Sequence, residues 1–215
     1  MHIVAGDTKV VQKGKAGGLY ITTAGVGVVR AGFNIVGAQA RPGDVVILSG
    51  SIGDHGIAVL GARGELGFES DLRSDVAPLN HLIEAMLNVS DKIHVLRDPT
   101  RGGLATTLNE IAVQSQVGIR LDEQRIPVQP AVSAVCEMLG FDPLYIANEG
   151  KLVAVVAHED AEAVLKVMRQ TRYGEAAVIV GEVIAEPPRR VLLKTALGST
   201  RVVDVLAGEM LPRIC

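Results

Sequence analysis

The chain has 215 residues, 48% hydrophobic and 21% charged, with a formal net charge of −3. That suits one large domain, or one domain plus part of another, around a substantial core. Near-neutral charge and scarce aromatic platforms, with 3 Phe, 3 Tyr and no Trp, argue against a nucleic-acid partner. No apolar run approaches the roughly 20 residues of a membrane span, and Met1-His2-Ile3 does not open a signal peptide. The two cysteines, Cys136 and Cys215, cannot build a disulfide framework, so the expected compartment is the reducing cytoplasm.

The segment Ile3 to Val11 reads as a strand entering a polar turn, and a second strand, Leu19 to Thr23, follows a Gly- and Lys-rich turn at Gly14–Gly18. Too little chain surrounds these strands to give them a core, so they look like the end of another domain or an edge for a second chain. Arg41-Pro42-Gly43-Asp44 is a turn and the expected boundary. Val45 to Leu48 is wholly apolar, as a strand covered on both faces must be. Ser51 to Gly56 is expected as a loop before a helix at Ile57–Leu60. Val76, Leu79, Ile83 and Met86 recur at helical spacing. Ile93 to Leu96 is a strand, and Leu104, Leu108 and Ile111 stripe the next helix. Val132, Val135, Cys136 and Leu139 stripe another, making Cys136 a small core filler. Lys151 to Ala157 is a strand, and Asp160 is placed as the cap of a helix carrying Val164, Leu165 and Met168. Strands over Val178–Val183, Val191–Lys194 and Arg201–Val205 close the chain, with Pro187-Pro188 forbidding helix between two of them. The fold class is α/β (α+β), with a strand-rich C-terminal end.

Four polar clusters fall at strand ends or helix starts, where such folds place ligands. In Gly6-Asp7-Thr8-Lys9 a carboxylate and an ammonium follow a strand, suited either to a magnesium-bound phosphate or to a solvated turn with an incidental ion pair. Arg97 to Gly103 opens a helix: Thr100 or Asp98 can cap it, two glycines expose backbone N–H groups, and Arg101 adds an anion donor. An Asp98–Arg101 pair that merely stabilises the turn is the alternative. Asn148-Glu149-Gly150 sets a carboxylate beside an amide at a strand start, either a general base or an exposed turn. In Ser51 to Gly56, His55 can bind phosphate or move protons, or simply be solvated. Finally, Cys215 ends the chain, and a terminal thiol can accept a group at one place and present it at another.

In this order, Gly6-Asp7-Thr8-Lys9-Val10-Val11, Gly50 to Gly56, Arg97 to Leu104, Asn148-Glu149-Gly150 and terminal Pro212-Arg213-Ile214-Cys215 resemble the HypE family of hydrogenase maturation proteins. That family lies within the wider superfamily of aminoimidazole ribonucleotide synthetases and selenophosphate synthetases. The resemblance covers essentially the whole chain, and the terminal Pro-Arg-Ile-Cys is its most diagnostic piece. It implies the C-terminal domain of the aminoimidazole ribonucleotide synthetase-like fold, a mixed sheet covered by helices. Residues 1–40 would be a remnant of an N-terminal ATP-binding domain, 41–204 the α/β domain and 205–215 a mobile tail.

The implied activity is an ATP-dependent carbamoyl dehydratase. The Cys215 thiol receives a carbamoyl group from a carbamoyltransferase maturation protein. The thiocarbamate is dehydrated to thiocyanate, and cyanide passes to iron for the [NiFe]-hydrogenase centre. Cys215 is then the carrier, and Glu149 and Lys9 are candidates for proton transfer. Asp7, Thr8, Lys9 and Asn148 are candidates for nucleotide contacts, with Asp7 holding Mg2+. Partners implied are the transferase, iron-carrying scaffold maturation proteins and, in the intact protein, a second copy. Gly208 would hinge the tail and Pro212 would stiffen its tip. The resemblance implies that most of the ATP-binding domain is missing, so this chain alone is expected to be inactive. The alternatives are a superfamily small-molecule kinase, for which the tail is dispensable, and a non-catalytic partner-binding module.

Overall fold

The computed structural model describes residues 24–64 and 71–205. They fall into two compact units that divide between Ala31 and Gly32. Of the first unit only residues 24–31 are described, with neither helix nor strand among them. The strands expected before residue 24, the tail from residue 206, and Asp7, Thr8, Lys9 and Cys215 lie outside the described residues.

The second unit is built on seven strands: β1 (Val45–Leu48), β2 (Ile93–Arg97), β3 (Gly118–Asp122), β4 (Val153–Val156), β5 (Val178–Ile184), β6 (Arg190–Lys194) and β7 (Thr200–Val203). Their order in the sheet is β2-β4-β1-β5-β3-β6-β7. Every neighbouring pair is antiparallel except β3 and β6, so the sheet is mixed, as expected. Five helices accompany it: α1 (Asp54–Arg63), α2 (Asn80–Val89), α3 (Gly103–Ser115), α4 (Pro130–Leu139) and α5 (His158–Arg169).

Strand alternation sorts the core. Val46 and Leu48 of β1, with Val153 and Val155 of β4, join Leu104, Leu108 and Ile111 of α3 on one face. Val45, Ile47, Ala154 and Val156 join Leu82 and Met86 of α2 and Val164, Leu165 and Met168 of α5 on the other. Each such large side chain contributes about 1.5–3 kcal/mol by burial. A smaller cluster ties α1 to α4 through Ile57, Leu60, Val132, Cys136 and Ile146.

Four expectations need correction. The helix placed at Ile57–Leu60 already begins at Asp54, because Gly53 takes a left-handed N-cap position (φ 85°) that turns the chain early. Val76 is 69% exposed and lies outside α2; Pro78 disfavours helical geometry at Ala77 and keeps residues 71–79 irregular. The N-cap of α5 is Ala157, and Asp160 sits inside the first turn, accepting a hydrogen bond from the Ser90 hydroxyl at 2.7 Å. Strand β3 was not expected at all, although Ile119 and Leu121 are buried on either side of exposed Arg120.

Register brings the loops together. Val153, the first residue of β4, pairs with Leu48 at the end of β1 and with Arg97 at the end of β2. The segments leaving β1 and β2 therefore meet the segment entering β4 at one end of the sheet. These are residues 49–56, 98–103 and 146–152, and they hold three of the four polar clusters.

Candidate functional site

Asn148 joins these three segments. Fully buried, it accepts the Gly53 N–H at 2.8 Å and donates to the carbonyls of Pro99 (2.9 Å) and Ile146 (3.1 Å). Backbone bonds reinforce the junction: Asn148 N–H donates to Pro99 O at 3.2 Å, and Gly56 N–H to Ala147 O at 3.1 Å. Asn148 was expected at the nucleotide; in the structure its amide is engaged on three loop backbones and braces them.

Glu149 stands next to this brace with its side chain 30% exposed. Its backbone N–H and that of Gly150 both donate to Asp75 Oδ1, at 3.0 and 3.4 Å. Gly150 is required there, since a Cβ would lie 1.8 Å from the Asp75 carbonyl oxygen. Asp75 was not singled out from the sequence. Its signal was hidden because Ser74-Asp75 was absorbed into the approach to a helix that starts five residues later.

His55, expected in a solvated loop, lies in the first turn of α1 and is only 9% exposed. Its Nδ1 is 2.8 Å from the Ser74 hydroxyl, and its Nε2 is 4.0 Å from Glu149 Oε1 with no hydrogen-bond partner among the described residues. Asp54 beside it is 3% exposed, with Oδ2 bonded by the Ser51 hydroxyl and Oδ1 unpartnered. The Lys151 ammonium lies between Asp54 Oδ2 (3.8 Å) and Asp75 Oδ2 (3.9 Å), beyond hydrogen-bond distance of either. Buried polar atoms are normally satisfied, and leaving one unpaired costs about 1–3 kcal/mol. Three unpartnered atoms, on Asp54, His55 and Asp75, in one cluster therefore mark a site rather than a core.

The Arg97–Gly103 cluster behaves differently. Gly102, left-handed at φ 73°, is the N-cap of α3, and no side chain caps the helix. Asp98 accepts from the Thr100 hydroxyl at 3.2 Å and its ion pair is with Arg97 at 4.0 Å, whereas the alternative reading of the turn had paired it with Arg101. Arg101 is exposed. Among the described residues no three His, Cys, Asp or Glu side chains gather to hold a metal, and no helix is long and apolar enough to cross a membrane.

An α/β domain whose loops converge on a carboxylate, a buried histidine and a lysine matches a family profile, "AIR synthase related protein, C-terminal domain", over residues 41–194. The chain belongs to this family. Among curated relatives it is 58% identical to carbamoyl dehydratase HypE of Cupriavidus necator, over 99% of this chain and 61% of that protein. It is 55% identical to carbamoyl dehydratase HypE of Azotobacter vinelandii, over 99% of this chain and 62% of that protein. The chain thus spans about six tenths of the length of these relatives. The solved structure of HypE in complex with ATP is 48% identical, with a TM-score of 0.78, covering 84% of this chain and 55% of that one. The HypE–HypF complex is 47% identical, with a TM-score of 0.77, covering 80% and 56%. Thiamine monophosphate kinase from Aquifex aeolicus, 19% identical with a TM-score of 0.53 over 78% of this chain and 54% of its own, shares the fold alone.

Proposed function

We propose that this chain is the C-terminal part of an ATP-dependent carbamoyl dehydratase that works in hydrogenase maturation. The names of its relatives support that reading over 99% of the chain, and the HypE complexes with ATP and with HypF support ATP as co-substrate and a maturation protein as partner. Residues 1–40 are assigned to the end of an ATP-binding domain, 41–204 to the C-terminal domain and 205–215 to the tail that carries Cys215. The partner is a carbamoyltransferase; iron-carrying scaffold proteins and a second copy complete the proposed assembly, in the cytoplasm.

In the proposed reaction the Cys215 sulfur carries –C(=O)NH2 as a thiocarbamate. ATP supplies the phosphoryl group that turns the amide oxygen into a leaving group. The C–O bond breaks, the nitrogen gives up two protons, and C≡N forms, so that thiocarbamate and ATP become thiocyanate, ADP and dihydrogen phosphate when both protons are counted. The cyanide is then passed to iron. Glu149 is the base for the nitrogen protons, with Lys9 as the second proton-transfer group. Asp7, Thr8 and Lys9 contact the nucleotide phosphates and Asp7 the Mg2+, all outside the described residues. Asn148 supports the site from below by fixing the loops.

The observation that carries this reading is the placement of Glu149. It is a part-exposed carboxylate whose backbone is clamped by Asp75, and it faces an unpartnered imidazole nitrogen. A base needs such access and such a fixed position. The test is intact mass of the full-length protein after incubation with carbamoyl phosphate, ATP and the transferase. Carbamoyl addition followed by loss of one water is expected, and Cys215→Ala should show neither step while folding normally. Carbamoyl label on Cys215→Ala would refute the carrier assignment.

A further inference from the structure

We propose that His55 is a positioning residue acting through Glu149: it draws off the proton that Glu149 takes from the thiocarbamate nitrogen and passes it by way of Ser74 to solvent. This rests on the dehydratase reading above and adds a group that reading does not use.

The nitrogen loses two protons, and Glu149 and Lys9 are the groups that take them. The carboxylate must pass its proton on before it can act again, and among the described residues the His55 imidazole is placed to receive it. Ser74 Oγ accepts from the Val76 N–H at 3.3 Å and lies 2.8 Å from His55 Nδ1. With Nδ1–H donating to that oxygen, the Ser74 hydroxyl proton is left free to point outward, and residue 74 is exposed. The same tautomer leaves a lone pair on Nε2, aimed at a carboxylate oxygen 4.0 Å away. Two acceptors facing each other cannot bond, which explains why a nitrogen this deeply buried is unpartnered. Once Glu149 has gained a proton, it becomes a donor, and the O–H···Nε2 bond can form. The proton then moves to Nε2, the Nδ1 proton moves to Ser74 Oγ, and the Ser74 proton leaves to water. No oxidant or reductant is needed. Glu149 and Ser74 return to their starting states, while the ring is left as the Nε2–H tautomer. It resets between turnovers when Nε2 gives its proton to water entering as product leaves and Nδ1 regains one from solvent through Ser74.

The ring is held for this task. His55 follows Gly53 and Asp54, and Gly53 N–H is bonded to Asn148, one residue before Glu149. On its other side Gly56 N–H is bonded to Ala147 O. The segments carrying the histidine and the base are therefore joined on both sides of His55, once through the Asn148 side chain and once through the Ala147 backbone. The titratable groups near the ring are Asp54 on its own helix, Asp75 beside Ser74, and Glu149 and Lys151 on the segment entering β4.

The test is single-turnover dehydration in the full-length protein, with Cys215 first carbamoylated by the transferase and ATP then added. His55→Gln can still hydrogen-bond Glu149 but cannot carry a proton. It should load normally and dehydrate on the order of 10- to 100-fold more slowly, with an unchanged KM for ATP and a pH–rate profile that loses one ionisation. Imidazole in the buffer should restore part of the rate of His55→Ala. A wild-type rate and pH profile in His55→Gln would overturn the proposal. If both His55 variants fail to fold, Ser74→Ala decides: several-fold slowing supports the relay and an unchanged rate overturns it. Glu149→Gln, run in parallel, separates this failure from that of the function itself. Lost dehydration in Glu149→Gln with a normal rate in His55→Gln removes only the relay, whereas normal dehydration in Glu149→Gln removes the base.

Discussion

Among the described residues two partly or wholly buried histidines each face a carboxylate, and the two pairs are built to opposite specifications. His94 Nδ1 sits 2.8 Å from Asp44 Oδ2, and the same oxygen accepts the Arg41 N–H at 2.8 Å, so the carboxylate closes the Arg41–Asp44 turn and anchors β2 to it. His55 Nε2 stands 4.0 Å from Glu149 Oε1 with no bond. Asp44 is 6% exposed at its side chain and Glu149 30%. A saturated pair holds structure. A pair with an open lone pair and a route to solvent can move a proton. Residue types alone do not separate them; the unsatisfied atom does.

If that distinction is right, damage to the two pairs should appear in different measurements. Asp44→Ala leaves the His94 ring and the Arg41 N–H without their acceptor. Leaving a buried donor unsatisfied costs about 1–3 kcal/mol, so a clear drop in urea midpoint is expected while dehydration per folded molecule stays near wild type. A variant that keeps its stability but loses activity would place Asp44 in the mechanism. Gly150→Ala attacks the other pair indirectly. Its Cβ would fall 1.8 Å from the Asp75 carbonyl oxygen, so residues 71–79 must move and Asp75 must release the Glu149 N–H. Misplacement of a catalytic group by about 1 Å costs on the order of 100-fold in rate. Single-turnover dehydration should fall by that order with carbamoyl loading intact; a normal rate would mean that the Asp75 clamp does not position the base.

Much of this architecture was legible in the residues. The apolar run Val45–Leu48 read as a doubly covered strand because both of its faces are buried, and it is an interior strand between β4 and β5. Three polar clusters read as separate candidates do converge, because antiparallel register brings the ends of β1 and β2 to the start of β4. What stayed hidden depends on contacts between segments distant in sequence. Asp75 was not singled out, since it stands just before the apolar stripe that begins at Val76, and its bond to Glu149, 74 residues away, gives it a role. Gly53 looked like loop punctuation, yet its left-handed backbone starts α1 early and carries Asp54 and His55 from a solvated turn into the interior. Strand β3 was missed because its run is short and Arg120 interrupts it, although that alternation is the period of a half-covered strand.

The smallest expected effect concerns Cys136, which read as core filler and is 1% exposed in the cluster shared by α1 and α4. Burial, with a smaller push from the Asp142 carboxylate, raises its thiol to about 11. The folded protein therefore keeps the proton at pH values where the unfolded chain has already lost it. Below about pH 9 both states are protonated and the group adds no pH dependence; above it the unfolded state gains, so stability falls as pH rises toward 11. The slope is at most about 1.4 kcal/mol per pH unit. In a Cys215→Ser background, where Cys136 is the remaining thiol, urea midpoints between pH 8 and 10.5 should decline more steeply than in Cys136→Ala/Cys215→Ser. Alkylation of Cys136 at pH 9 should proceed only as fast as the fold opens. Parallel stability curves for the two variants, or rapid alkylation of the folded chain, would show that this thiol is in contact with water and that the α1–α4 cluster is not closed.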